Sequence, residues 1–344
     1  MAELAGKAFP WAPGTATGIG SMPGGDPLEA ARTVAGELPD FPYLAELPGR
    51  GPGADMIGRA AALLVDIPAE VTPRGWRIAE RPGRDLRRAA SMLSSDLDAM
   101  EEVLDGYAGL VKIQVCGPWT LAATLEQPRS LTAALADPGL VADLASSLAE
   151  GAARHAAEVA KRVPRATLVV QFDEPALPAV AAGAVPTASG LSRVRAVEEE
   201  VLRSRLNEVL AATGRYTIVH CCSRGCPFGI ITGAGADAVS FDLRLLRRDD
   251  YDELAATAEA GAGLLAGAIS FDYPERRGVT PTDTARTVQV AWRTIALPAA
   301  RCAPQVVVTP ACGLAAASPA QAREALRWCR EAARILPEMM EELG

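Results

Sequence analysis

Apolar residues fall along this chain in short β-branched runs and in longer stretches of helical spacing, and the two alternate. Thr217-Ile218-Val219 reads as part of a buried strand. Leu86, Ala89, Leu93, Leu97, Met100 and Leu104 recur every three or four residues and mark an amphipathic helix. On this basis strands are predicted at 15–23, 41–47, 110–115, 167–172, 216–222, 238–241, 264–271 and 306–309. Helices are predicted at 28–38, 55–65, 85–104, much of 131–162, 193–212, 251–260, 282–295 and 320–336. Asp26-Pro27 and Ser318-Pro319 supply helix starts, each a capping side chain followed by proline. Residues 69–79 read as a hairpin around Pro73-Arg74-Gly75.

Eight short strands, most followed by a helix, make the alternation of an α/β fold of the (β/α)8 TIM-barrel type, with an inserted helix and hairpin segment after the second strand. A doubly wound open sheet is the alternative; strand number and length favour the barrel. No fixed-period repeat or dividing linker interrupts the pattern, so residues 1–344 read as a single catalytic barrel domain.

Composition narrows the class. With 49% hydrophobic and 22% charged residues the chain can bury a large core. A net charge of −8 lacks the clustered basic face of a nucleic-acid binder. No apolar run reaches the ~18 residues of a membrane span, so neither nucleic acid nor membrane is an expected partner. The N-terminus shows no basic segment followed by an apolar one, and no signal peptide is expected. Seven cysteines, an odd number, do not resemble a secreted disulfide framework; a reducing cytoplasm is expected, with thiols free for metal.

The C-terminal ends of barrel strands share one face, where catalysis takes place. Here those ends carry Ser21, Glu46, Trp119, Asp173, His220 with Cys222, Asp242, Asp272 and Cys312. Residues i and i+2 of a strand project to one face, so His220 and Cys222 point together and Cys221 points away. Imidazole and thiolate at a strand end suit Zn2+, which prefers nitrogen and sulfur donors in tetrahedral geometry. Cys312 would add a second sulfur, with Asp242 as a weak fourth ligand and Cys221 and Cys226 as its rivals. Cys116, Cys302 and Cys329 read as structural, and His155, mid-helix beside Arg154, as a surface residue. Asp173-Glu174-Pro175 has a second reading, as a helix-start turn.

Five pieces occur in order along almost the whole chain: Ile19-Gly20-Ser21-Met22-Pro23, Gly117-Pro118-Trp119-Thr120, Asp173-Glu174-Pro175-Ala176, His220-Cys221-Cys222 and Pro310-Ala311-Cys312-Gly313-Leu314. Through them the sequence resembles the catalytic C-terminal half of cobalamin-independent methionine synthase, in the wider superfamily of uroporphyrinogen decarboxylase and the corrinoid:coenzyme M methyltransferases. The resemblance implies that a homocysteine thiol, activated at zinc, takes a methyl group from a folate to give methionine. It implies His220, Cys222 and Cys312 as zinc ligands; Ser21 and Asp173, with Glu46, as the groups that hold the amino acid; and Trp119 near the methyl donor. Three departures stand out. Asp242 replaces the family's glutamate ligand, Asp272 replaces the histidine that protonates the departing folate, and the family's long N-terminal half has no counterpart. Asp272 would then be the catalytic acid, provided that burial raises its pKa. A methyl-corrinoid is the alternative donor, since it leaves without needing an acid. Another small thiol such as coenzyme M is the alternative acceptor, and a zinc-stabilised scaffold the non-enzymatic one.

Overall fold

The β-branched runs between Leu110 and Pro310 form six parallel strands in a computed structural model that describes residues 8–272 and 278–342. They are β3 (Leu110–Cys116), β4 (Thr167–Asp173), β5 (Tyr216–Cys221), β6 (Ala238–Asp242), β7 (Gly263–Ile269) and β8 (Val306–Pro310), side by side in chain order. The architecture is an α/β fold whose sheet curls into a half-barrel. Alternation along the strands divides their side chains between two faces. One set of side chains packs against helices in the main core, while Leu110, Val169, Ile218, Ala238, Leu265 and Val307 meet one another on the concave side, with Phe41 and Trp11.

Helices follow the strands: α4 (Pro118–Thr124) and α5 (Pro138–Arg162) after β3, α6 (Leu177–Ala181) and α7 (Glu199–Ala212) after β4, α8 (Phe228–Gly233) after β5 and α9 (Asp250–Glu259) after β6. Next come α10 (Pro281–Thr294) and α11 (Ala299–Gln305) after β7, and α12 (Pro319–Glu341) after β8. Three long helices start on caps legible in sequence: Asp137 accepts from Gly139 and Leu140, and capping boxes begin α10 at Thr280 and α12 at Ser318. Upstream lie α1 (Pro27–Glu37), α2 (Met56–Leu63), the hairpin β1 (Ala69–Thr72) and β2 (Gly75–Ile78), and α3 (Arg84–Val103). The helix expected over 131–162 begins only at Pro138, because 126–137 forms a turn against the hairpin, with Ile78 N donating to Glu126 O.

The strands expected at 15–23 and 41–47 are not strands among the described residues. Each makes isolated parallel bridges instead: Ala16 to Val308 of β8, Ser21 to Glu46, and Tyr43 to Lys112 of β3. The physical reason is close approach. A Cβ on Gly18 would overlap the Tyr43 ring and one on Gly20 would press on Gln114, so the segment runs too near its neighbours for a regular side-chain ladder. Thr17 N donates to Val308 O at the bridge to β8, and its Oγ1 donates to Phe41 O. Among the described residues no helix is long and apolar enough to cross a membrane.

Candidate metal centre and substrate pocket

β5 ends in His220 and Cys221, and Cys222 follows directly. His220 is buried, and its Nδ1 lies 2.8 Å from Ser240 Oγ on the adjoining strand, which fixes the ring. Its Nε2 is buried without a hydrogen-bond partner. A buried ring nitrogen left unpaired costs free energy, unless something outside the protein fills its lone pair. What faces it is sulfur: the donor atoms of His220, Cys222 and Cys312 all lie within 4.8 Å of one another. Cys312 stands in the turn after β8, and its Sγ is 3.1 Å from that of Cys222. This sulfur–sulfur hydrogen bond, helped by His220, draws the Cys312 thiol down to about 4 against the effect of burial. Cys222 is pushed up, first by the same bond and then by burial. The two sulfurs thus face each other beside the imidazole, in a site that a thiophilic cation would fill. Among the described residues one nitrogen and two sulfurs, buried at the imidazole and exposed at Cys312, form a three-donor set. These residues fit zinc.

Acidic groups gather beside the donors. Asp173 ends β4 directly across from His220 in the sheet register, and Gln171 Nε2 donates to its Oδ1 at 2.6 Å. Burial raises its carboxyl, opposed first by His220. Glu46 is 5% exposed; burial raises it to about 7, and Arg59, whose Nε lies 3.3 Å away, opposes that rise. Ser21 bridges to Glu46 and its carbonyl accepts from Leu314 N at 2.8 Å, which seats it on the Cys312 turn. A Cβ at Gly313 would overlap Ser21 Oγ, so this approach needs glycine. Ser21, Glu46, Asp173, His220, Cys222 and Cys312 therefore share one end of the sheet.

Lys112 was missed in the sequence. It is fully buried in β3; Nζ donates to Ile19 O at 2.7 Å and to Gln114 Oε1 at 3.1 Å. Burial lowers it to about 7, and Asp173 and then Glu46 hold it up. A lone lysine at a concave-side position of an apolar strand was the available signal. Arg59 was also overlooked: it is 4% exposed and joins Glu46 to Asp96, which Arg50 also binds at 2.6 Å.

A family model, the catalytic domain of cobalamin-independent synthase, matches residues 14–335. The chain belongs to that family. Among solved structures it is similar to a B12-independent methionine synthase from Shewanella sp. W3-18-1 in complex with selenomethionine, at 13% identity and a TM-score of 0.60. That alignment covers 98% of this chain and 100% of that one, and at this identity it speaks for the fold alone. An uncharacterised protein aligns at 14% identity and a TM-score of 0.28, over 73% of this chain and 68% of that one, which carries no structural argument. No curated protein matches the sequence.

Within this synthase-family chain, several residues singled out in the sequence are not among the grouped donors His220, Cys222 and Cys312. Asp242 ends β6 with both carboxylate oxygens engaged by Arg244. Cys226, its rival, is buried, and its thiol is pushed well up by burial and by Cys221. Trp119 is fully enclosed, with Nε1 donating to Leu202 O at 3.0 Å, so the ring serves as packing between α4 and α7. Asp272 is half-buried three residues beyond β7, next to residues outside those described. Glu174 does not cap the helix that follows it, since α6 begins at Leu177 without a side-chain cap; it accepts instead from Trp119 N, Thr120 N and Thr120 Oγ1 at the start of α4, while burial raises it to about 7. His155 is not on the surface. It is 5% exposed, on the face of α5 that meets α2.

Proposed function

We propose that this chain is a zinc-dependent homocysteine S-methyltransferase. The observation that carries the reading is the convergence of His220 Nε2, otherwise unpaired, with the sulfurs of Cys222 and Cys312. These three would hold the ion. When bound, zinc supplies Lewis acidity that keeps a substrate thiol deprotonated near neutral pH. Ser240 keeps the imidazole in its ligating tautomer by occupying Nδ1. Glu46 and Asp173 take the substrate's ammonium group, which selects an amino-acid thiol such as homocysteine over coenzyme M, whose far end is a sulfonate. Arg59 and Lys112 bring positive charge beside Glu46, and Lys112 beside Asp173, which opposes the rise that burial gives the two carboxyls. Ser21 is placed to orient the same substrate end.

The reaction forms a sulfur–carbon bond at the acceptor and breaks the bond between methyl and donor. A folate nitrogen leaving in this way must gain a proton, and Asp272 is the residue proposed to give it; a methyl-corrinoid donor would need none. We further propose that the bridged segments at 15–21 and 43–46 stand as the first two strands and close the sheet into a (β/α)8 barrel, with α2, the hairpin and α3 inserted after the second. Residues 1–344 then act as one catalytic unit. Free cysteines throughout the described residues suit the reducing cytoplasm.

The test is metal content and turnover together. Zinc-loaded protein should bind one zinc per chain and convert homocysteine to methionine. Cys222→Ser and Cys312→Ser should lose both properties with an unchanged circular dichroism spectrum. Full zinc occupancy in Cys312→Ser would overturn this ligand set.

A further inference from the structure

Two residues along from the apolar layer of the half-barrel, its strands turn polar. Lys112 follows Leu110, Gln171 follows Val169, His220 follows Ile218 and Ser240 follows Ala238, so alternation keeps them all on the concave side. His220 and Ser240 belong to the metal centre. Lys112 and Gln171 share another target, the carbonyl of Ile19. Lys112 Nζ donates to it at 2.7 Å and Gln171 Nε2 at 3.0 Å, which fills both lone pairs of one backbone oxygen. Ile19 lies two residues before Ser21, in the segment that makes bridges without forming a strand. Side chains from β3 and β4 thus hold the carbonyl where a sheet ladder would otherwise do so.

Gln171 holds more than that carbonyl. Its Nε2 also donates to Asp173 Oδ1 at 2.6 Å. Both amide hydrogens are then committed to oxygens that can only accept, which fixes the way the amide faces. Its Oε1 is left buried without a hydrogen-bond partner. An unpaired buried acceptor costs free energy, so an apolar side chain of the same length would serve packing better. The two N–H bonds therefore point to a role beyond stability. One of them holds the segment that carries Ser21, which bridges to Glu46, and the other holds Asp173. Glu46 feels the Asp173 charge, so the two acids are neighbours that repel each other.

We propose that Gln171 is a positioning residue for substrate recognition: its amide fixes the spacing between Asp173 and the Ser21–Glu46 bridge, so that both carboxylates close on one ammonium group. The inference deepens the reading of these two acids given above and rests on it. Neither N–H bond of Gln171 goes to a metal-ligating residue, so binding of the substrate sulfur does not depend on it. Its effect is confined to telling an amino-acid thiol from the same chain without the amino group.

The test is calorimetric titration of the zinc-loaded full chain, without turnover, using L-homocysteine and γ-mercaptobutyrate. The second probe keeps the thiol and the carboxylate and lacks the amino group. Wild type should bind L-homocysteine the more tightly. In Gln171→Met that preference should fall about tenfold, the worth of one hydrogen bond to a charged group. The fall should come from weaker homocysteine binding, with γ-mercaptobutyrate affinity, zinc content and the urea midpoint as in wild type. Gln171→Asn, whose amide is one methylene short of spanning both acceptors, should show the same fall. An unchanged preference in the two variants, or an equal loss of affinity for the two probes, would overturn the proposal. Failure of the underlying reading looks different: wild type itself would show no preference for L-homocysteine.

Discussion

Acidification should destabilise this protein through His155 by an amount the structure lets one calculate. α5 approaches α2 so closely that a Cβ at Gly151 would overlap Leu63 O, and one turn later this packing encloses His155. Burial, and then the Arg59 charge, lower its pKa from 6.5 to about 3. The unfolded chain takes up a proton at this residue near pH 6.5, and the folded chain does not. The folded protein therefore keeps the full contribution above pH 6.5 and loses it as pH falls towards 3. pH 5 lies about 1.5 units below the ring's unfolded pKa of 6.5 and well above its folded one, so the loss there is roughly 2 kcal/mol at ~1.4 kcal/mol per unit. Carboxylates titrate in the same range, so the informative quantity is a difference between proteins. Urea unfolding near pH 7 and near pH 5 should show wild type losing about 2 kcal/mol more than His155→Gln. Equal losses in the two proteins would refute the buried neutral imidazole, whatever the absolute stabilities.

Glu174→Ala strands two backbone N–H groups and a hydroxyl at the start of α4, and should cost about 3–5 kcal/mol in urea unfolding near pH 5, less as pH rises through 7, since burial raises this carboxyl to about 7; a loss under ~1 kcal/mol near pH 5 would refute the cap. Gly18→Ala drives a methyl into the Tyr43 ring where 15–21 meets 43–46, and should cost about 1–3 kcal/mol by the same measurement. With methyl-tetrahydrofolate as donor, Asp272→Asn should lower kcat about 100-fold or more, yet leave turnover with methylcobalamin unchanged. Equal loss with both donors would remove Asp272 from the proton-transfer role.

Local spacing carried much of the fold and part of the site. The i, i+2 spacing of His220 and Cys222 sufficed to place them on one face, and the caps at Asp26 and Ser318 begin helices where expected. Even His155 was legible: it continues the stripe Leu144, Leu148, Ala152, Val159 at helical spacing, although the neighbouring Arg154 suggested a surface. The two N-terminal segments were harder. Their apolar pattern is that of strands, and only contact with Tyr43 and Gln114 showed why they bridge instead of pairing regularly.

Side-chain alternation is a property of the chain's own geometry, so the sequence alone determined which faces share His220, Cys222, Ser240 and Asp242. It also determined the order of strands and helices and the presence of a His/Cys/Cys donor set. Which group each side chain meets depends on distances between elements far apart in sequence. Only the tertiary structure decided that Lys112 would be buried among Glu46 and Asp173, that Trp119 would be spent on packing against α7, and that Arg244 would take both oxygens of Asp242. Charges and hydrogen bonds act through space, and the energy of burying them is settled by neighbours that local pattern does not specify.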